Sequence, residues 1–200
     1  MKKILFTFLI LIYSHSSFSQ VFSYGIVTGV EMFRPPSTND KILRVGWDNY
    51  HLNYGVYGEY GISKRFGVKF ELIYNSKSIQ IWSSNNLYAK INYIDFNSNL
   101  KLNLGSKYNK GFYLVTGGRV SSMIKNDNNL TNIDDIDNYK YNKIDYGLQF
   151  GAGFRFVKCI DFQLRYDNSI SEFLSYKNEK AKYFSLNALI YIDLEKILNR

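Results

Sequence analysis

One histidine and a few nearby polar residues are the groups in this sequence that could carry out acid–base chemistry. His51 follows Asp48 by three residues, and Ser83 and Ser84 occur in a later polar segment. A serine, a histidine and an aspartate in contact would form a nucleophilic triad suited to acyl transfer. The other histidine, His15, lies in a segment that we expect to be removed. Because a lone histidine is more often an ordinary polar residue, we predict that the protein is not an enzyme.

Four aspartates in one long polar segment are the residues that could bind a cation. They are Asp127, Asp134, Asp135 and Asp137. Their carboxylates are the oxygen ligands that calcium prefers, but the spacing lacks the glycine and the closing glutamate of an EF-hand loop. No zinc-ligand spacing occurs either, and Cys159 is the single cysteine, which excludes an intramolecular disulfide. We therefore predict neither a metal site nor a cofactor.

The same polar segment also contains apolar and aromatic side chains that a solvated loop seldom needs. They are Leu130, Ile133, Ile136, Tyr139 and Tyr141. Contact surfaces between proteins are enriched in tyrosine and depleted of lysine and acids at their centres. We predict that this segment docks against another protein, with packing onto its own domain as the alternative.

The segments that must position these groups alternate apolar and polar residues with a strict period of two. Residues 145–156 show it best. One face carries Tyr146, Leu148, Phe150, Ala152, Phe154 and Phe156, and the other carries Asp145, Gly147, Gln149, Gly151, Gly153 and Arg155. Successive side chains of a strand point to opposite faces, so this pattern predicts strands that are apolar on one face only.

Eight segments show this alternation. Their predicted bounds are 21–31, 51–62, 66–74, 91–104, 112–124, 145–156, 159–167 and 182–193. Short connections alternate with four long polar ones, at 33–50, 75–88, 125–143 and 168–181, which is the arrangement of bacterial outer-membrane barrels. We therefore predict an all-β fold, an eight-stranded antiparallel up-and-down transmembrane β-barrel.

The start of the chain has the pattern of a secretory signal peptide. Lys2 and Lys3 precede an apolar stretch at 4–13, and Ser17 and Ser19 provide small residues before a cleavage site. The apolar stretch is shorter than the roughly 20 residues that a membrane-spanning helix needs. We predict a signal peptide over residues 1–19 and one barrel domain over residues 20–200.

Glycine and aromatic residues favour a membrane barrel over a soluble lipocalin-like barrel or a β-sandwich, which would show the same period. The predicted polar faces contain Gly25, Gly29, Gly55, Gly67, Gly117, Gly147, Gly151 and Gly153. A narrow interior explains these glycines, whereas on solvent-facing strands they would only weaken the sheet. Aromatic residues make up 18% of the chain and suit the girdles at the two membrane interfaces. We predict the bacterial outer membrane as the location and its lipid as a partner.

Charged residues on the polar faces are predicted to fill the barrel. They are Glu31, Glu59, Lys69, Glu71, Asp95, Lys101, Arg119, Asp145, Arg155, Asp161, Arg165 and Asp167. An eight-stranded barrel has room only for its own side chains, so mixed charges predict a closed polar lumen rather than a channel. The formal net charge of +8 comes from scattered residues, and we do not predict nucleic-acid binding.

Four short motifs carry a resemblance to a known family. They are Tyr24-Gly25-x-x-x-Gly29, Ile94-Asp95-Phe96, Gly151-Ala152-Gly153-Phe154 and Leu164-Arg165-Tyr166. These motifs are similar to those of the PorT-like outer-membrane β-barrel family of Bacteroidetes. The resemblance implies a small outer-membrane barrel, a possible link to protein secretion, and no catalytic residues to carry over.

The predicted function is that of an integral outer-membrane barrel, either a structural protein or an accessory subunit of a larger outer-membrane complex. Another outer-membrane protein would then be the partner of the docking segment. Two alternatives stay open from the sequence. One is a lipid-modifying enzyme similar to PagP-type acyltransferases, with His51 at the barrel rim, and the other is a small-solute channel.

Overall fold

A computed structural model describes residues 22–34, 50–80, 88–105, 108–128, 139–172, 174–176 and 179–198. The long strands are β1 (Phe22–Arg34), β2 (Tyr50–Gly61), β3 (Phe66–Gln80), β4 (Tyr88–Asn103), β5 (Gly111–Asn128), β7 (Ile144–Val157), β8 (Ile160–Ser169) and β11 (Phe184–Asp193). The short strands are β6 (Tyr139–Tyr141), β9 (Leu174–Tyr176) and β10 (Glu179–Ala181). A five-residue helix, α1 (Leu194–Leu198), follows β11.

The eight long strands close into one barrel. They pair in the order β1, β2, β3, β4, β5, β7, β8 and β11, and β11 pairs back with β1. All the pairs are antiparallel. When paired residues are followed from strand to strand once around the barrel, starting at Asp193, the path returns to Tyr183, ten residues earlier in the chain. Such a stagger tilts the strands, as closure of a sheet requires. The predicted eight-stranded antiparallel barrel is confirmed.

The two faces of the wall also agree with the predicted alternation. Most apolar residues that were assigned outward are exposed, including Leu52 at 71%, Phe112 at 63% and Leu164 at 47%. All twelve charged residues that were assigned to the interior are buried. A wall that is apolar outside and polar inside has the polarity of a barrel in lipid, since a water-soluble barrel would bury its apolar face.

Several predicted boundaries were wrong, because paired strands continue into segments that the sequence assigned to loops. β3 extends to Gln80 and β4 begins at Tyr88, so Asn75, Ser76 and Lys77 belong to a strand. Ladder hydrogen bonds use backbone groups and continue after the apolar alternation has stopped. The seventh predicted strand began one residue early, since Cys159 lies in the turn before β8.

Two of the predicted loops contain strands of their own. β6, from the segment at 125–143, pairs with β9, and β9 pairs with β10 in the connection before β11. They form a separate three-stranded sheet in the order β10, β9, β6. Both contributing connections lie at the end of the barrel opposite the short turns.

A register shift marks the same end of the barrel. Asn92 pairs with Lys125 and Tyr93 pairs with Met123, so Ile124 is an extra residue on β5. This is a β-bulge, which breaks the alternation of faces locally. Such a break of the period cannot be read from the alternation of residues alone. In the described part of the chain no helix is long and apolar enough to span a membrane.

Candidate functional site

The middle of the lumen is held together by an arginine between two carboxylates. Arg165 on β8 donates to Glu71 at 2.5 Å and to Asp167 at 3.1 Å. The Tyr191 hydroxyl and the Asn97 amide also donate to Glu71, at 2.7 and 3.0 Å. A buried charge is tolerated when it is paired and its remaining lone pairs are satisfied, as they are for this glutamate.

Asp145 on β7 is the centre of the network at the loop end of the barrel. Its carboxylate accepts hydrogen bonds from Arg119 at 2.5 Å, Ser169 at 2.6 Å and Tyr183 at 2.5 Å. Ser171 donates to the same carboxylate at 2.5 Å. Lys77 lies beside this group, with its Nζ 3.9 Å from the carboxylate. This lysine was not predicted to face inward because its strand was taken to end at Tyr74.

A third network occupies the end with the short turns. Lys101 contacts Glu59 at 2.8 Å and Asn109 at 2.7 Å, and Arg155 forms a bidentate pair with Asp161. Arg155 also reaches Asp193 at 3.3 Å. Asp193 is the second lumen charge missing from the predicted set, and it stands at the end of the eighth predicted strand.

Two tyrosines narrow this end of the lumen. The Lys101 ammonium lies 5.4 Å from the ring centre of Tyr108, in the turn between β4 and β5, and 4.1 Å from that of Tyr113. Burial and the Glu59 carboxylate raise the pKa of the Tyr108 phenol above its ordinary value. The tyrosine therefore stays neutral and adds no charge to the barrel end.

The lumen also contains an apolar and aromatic cluster, which the sequence analysis did not predict within the largely polar interior. Its buried members are Val27, Tyr57, Ile73, Leu189 and Tyr191. Lys69 extends over this cluster, with its Nζ 3.7 Å from the ring centre of Tyr191. A cation over an aromatic face is attracted to the ring quadrupole, so this contact stabilises a buried ammonium. Ile73 was not predicted to face the lumen, because its neighbour Leu72 is also apolar and the two residues interrupt the alternation.

The described lumen has more carboxylates than cations. Its acids are Glu31, Glu59, Glu71, Asp95, Asp145, Asp161, Asp167 and Asp193, and its bases are Lys69, Lys77, Lys101, Arg119, Arg155 and Arg165. Neutral side chains donate hydrogen bonds to the excess carboxylates. The Asn75 amide, for example, donates to Glu31 and, at 3.2 Å, to Asp95. Buried side chains that hydrogen-bond to one another therefore fill the described lumen.

The outer surface has the opposite charge. Among the described residues, every charged side chain that is exposed is basic. These are Lys64, Arg65, Lys110 and Lys158 in the short turns and Lys90, Lys125, Lys143 and Lys182 at the opposite end. The two groups flank the apolar wall at both ends, where anionic lipid headgroups attract basic side chains.

Of the residues considered for catalysis, the structure describes His51. His51 is half-buried on β2, opposite Glu31 of β1. Asp48, Ser83 and Ser84 lie outside the described residues, as do the four aspartates considered for calcium, apart from the backbone of Asp127. Among the described residues no group of three or more His, Cys, Asp or Glu could hold a metal.

The predicted docking segment is described only in part. Leu130, Ile133 and Ile136 lie outside the described residues, and the backbone of Tyr139 and Tyr141 forms the ends of β6. β6 pairs with β9 along one side. Its contribution to a partner surface stays a prediction.

A family comparison agrees with the apolar outer wall. Residues 15–175 match the model of an outer membrane protein beta-barrel domain. The chain belongs to this family. It is an outer-membrane β-barrel protein, surrounded by the lipid of that membrane, and the predicted location is confirmed. The resemblance to the PorT-like family of Bacteroidetes stays a prediction.

Solved structures of small outer-membrane barrels are similar to the chain over most of their length. Neisserial surface protein A has a TM-score of 0.49 at 11% identity, over 88% of this chain and 99% of that one. OprG from Pseudomonas aeruginosa has a TM-score of 0.47 at 11% identity, over 87% of this chain and 92% of that one. Ail of Yersinia pestis, solved in complex with the heparin analogue sucrose octasulfate, has a TM-score of 0.48 at 12% identity, over 86% of this chain and 98% of that one. No curated protein was found to match the chain in sequence.

Proposed function

We propose that this protein is a non-conducting accessory subunit that docks another outer-membrane protein through its extracellular strands and loops. The plugged lumen is the observation that carries this proposal. With Arg165, Asp145 and Lys101 each fixed in a buried network, a solute has no path through the barrel. Function then belongs to the surfaces outside the lumen, which are the wall and the long connections.

The small sheet at the loop end supports the choice of docking surface. β10 and β6 are the edge strands of its described order, and β6 carries Tyr139 and Tyr141. An edge strand presents unpaired backbone groups that can pair with a strand of another chain. The apolar residues Leu130, Ile133 and Ile136 precede it in sequence. The resemblance to PorT-like proteins would place such a complex in protein secretion.

Replacing residues 133–141 with a short Gly/Ser link tests this proposal. The barrel should still fold, since long surface loops cost little free energy to change, and partners cross-linked in native outer membranes should disappear. The control is a Gly/Ser link of equal length in place of residues 38–46, in the connection between β1 and β2. If the 133–141 variant keeps every partner, the loop is not the docking surface. If the wild type has no partner, the accessory role itself is wrong.

A further inference from the structure

A groove on the outer wall lies at the loop end of the barrel, between β7 and the segment that links β8 to β9. Its volume is about 530 Å³. Ile144, Tyr146 and Ile170 form an apolar floor, and Lys143 and Lys182 lie at its basic rim. All five side chains are exposed.

The strand register arranges these residues in rows. The Ile170 amide donates to the Tyr146 carbonyl at 2.9 Å, and the Ser169 amide donates to the Tyr183 carbonyl at 2.9 Å. Tyr146 on β7, Ile170 just after β8 and Lys182 just before β11 therefore lie side by side, and all three are exposed. Lys143 immediately precedes Ile144 at the end of the floor and is held by a hydrogen bond from the Met123 amide to its carbonyl, at 2.8 Å.

The lumen network holds the floor of the groove in place. The Ser171 hydroxyl donates to the buried carboxylate of Asp145, at 2.5 Å, and accepts a hydrogen bond from the Tyr146 amide, at 3.0 Å. The Ser171 amide donates to the Tyr146 carbonyl at 3.2 Å. A groove fixed in this way is formed before any ligand arrives, so binding would require little ordering of the protein.

The charges of the groove specify the occupant. Neither Lys143 nor Lys182 forms an ion pair with a described residue, and Glu172 is the single acid in the lining. The apolar floor is part of the outward apolar face, and the lysines lie at the end of the barrel that has the long connections. A ligand that matches both parts has acyl chains below and a phosphate above, since an ammonium attracts a phosphate as a compact point charge.

We propose that this groove binds a phosphorylated, acylated glycolipid of the outer leaflet. The acyl chains contact Ile144, Tyr146 and Ile170, and the phosphate lies between Lys143 and Lys182. A groove of this size suits a sugar headgroup with its phosphate. The site depends on the outer-membrane location of the barrel and is independent of the docking loop proposed above.

Lipid binding to the purified, folded barrel tests the proposal. The protein is placed in nanodiscs of zwitterionic phospholipid and titrated with purified lipid A. The Lys143→Gln/Lys182→Gln variant should bind at least about tenfold more weakly, because it loses both attractions to the phosphate. The Lys110→Gln/Lys158→Gln variant removes the same charge at the opposite end and should bind like the wild type. Lys143→Arg/Lys182→Arg should retain binding.

Chemically altered lipids distinguish the proposed ligand from its alternatives. Dephosphorylated lipid A should bind the wild type as weakly as lipid A binds the Lys143→Gln/Lys182→Gln variant. Equal binding of lipid A and its dephosphorylated form would overturn the phosphate site. Phosphatidylglycerol binding as tightly as lipid A would show a general preference for acidic lipid and overturn the glycolipid assignment. Equal loss in both lysine-to-glutamine variants would show that net charge matters and the groove does not.

Discussion

Charged side chains are distributed unequally across the barrel wall. The described lumen has eight acids and six bases, whereas the exposed charged residues of the described chain are all basic. Carboxylates outnumber cations inside because serine, asparagine and tyrosine donate to them, as Ser169 and Tyr183 do to Asp145. Lysines at the outer rims keep their ammonium groups in the headgroup region while their stems cover apolar surface. In the described part of the chain the excess of positive charge therefore lies at the surface.

Arg165 should be indispensable to the lumen. Arg165→Met removes the cation between Glu71 and Asp167 and leaves two buried carboxylates without it. Removing one partner of a buried pair costs about 3–5 kcal/mol. Denaturant titration of the barrel refolded in lipid gives the free energy of unfolding. Lys158→Met, in an exposed turn, is the matched control and should change it by less than about 0.5 kcal/mol.

His51 should be dispensable for lipid chemistry. The described structure places it on β2 opposite Glu31, and acyl transfer based on histidine would require it after signal-peptide removal. Phospholipid and lipopolysaccharide acyl patterns should be the same in a deletion strain complemented with wild type or with His51→Ala. Acylation that only the wild type restores would show that the protein is an enzyme.

The pairing of strands determines which side chains can be neighbours. Glycines that face inward leave space for aromatic rings of neighbouring strands. A Cβ at Gly153 would lie 2.3 Å from the ring of Tyr113, its partner on β5, and 2.7 Å from the Phe162 carbonyl oxygen. The glycine on β7 therefore allows an aromatic ring to cover its backbone. Gly58 on β2 lies in an outward row, where a Cβ would meet nothing within 4 Å.

Gly153→Ala should thus destabilise the barrel while Gly58→Ala should not. Overpacking a filled interior costs about 1–3 kcal/mol, and the outward position has no atom to displace. The two free energies of unfolding in lipid give the comparison. Equal effects would contradict the close packing of Tyr113 against β7.

On the outward face, the free-energy cost of introducing a charge should depend on its position along the strand. Leu164→Arg puts a charge at the middle of β8, where it should cost about 2–4 kcal/mol. Val157→Arg puts the same charge beside the turn at the strand end, where the cost should fall to about 0–1 kcal/mol. Both parent residues are about half exposed, at 47% and 52%. Similar costs at both depths would contradict a membrane-spanning wall.

The whole molecule combines an apolar exterior with a filled interior. The lumen networks link strands that are distant in sequence, as Arg165 on β8 does with Glu71 on β3. Such contacts require the barrel to be closed, so the plug and the wall depend on each other. The small sheet of β6, β9 and β10 then extends beyond a closed cylinder, at the end of the long connections.

The refolded protein should therefore be compact and non-conducting. Unboiled samples should migrate differently from boiled ones on a denaturing gel, and planar bilayers containing the protein should show no discrete conductance steps. An open porin measured in the same bilayers is the positive control. Stable single-channel steps from the purified barrel would show that the plug moves and would favour the channel alternative.

The sequence by itself determined the strands, their two faces and the location. Side chains alternate across a strand, so an apolar outward face and a polar inward face can be read from spacing alone, and Arg119, Asp161 and Gln149 were assigned correctly. The tertiary structure decided which inward groups meet, because pairing depends on the register and closure of the barrel. It also showed Lys77, Asp193 and Ile73 in the lumen, since backbone pairing does not follow side-chain polarity. The groove at Tyr146, Ile170 and Lys182 exists only after three strands lie side by side, which no local pattern in the sequence specifies.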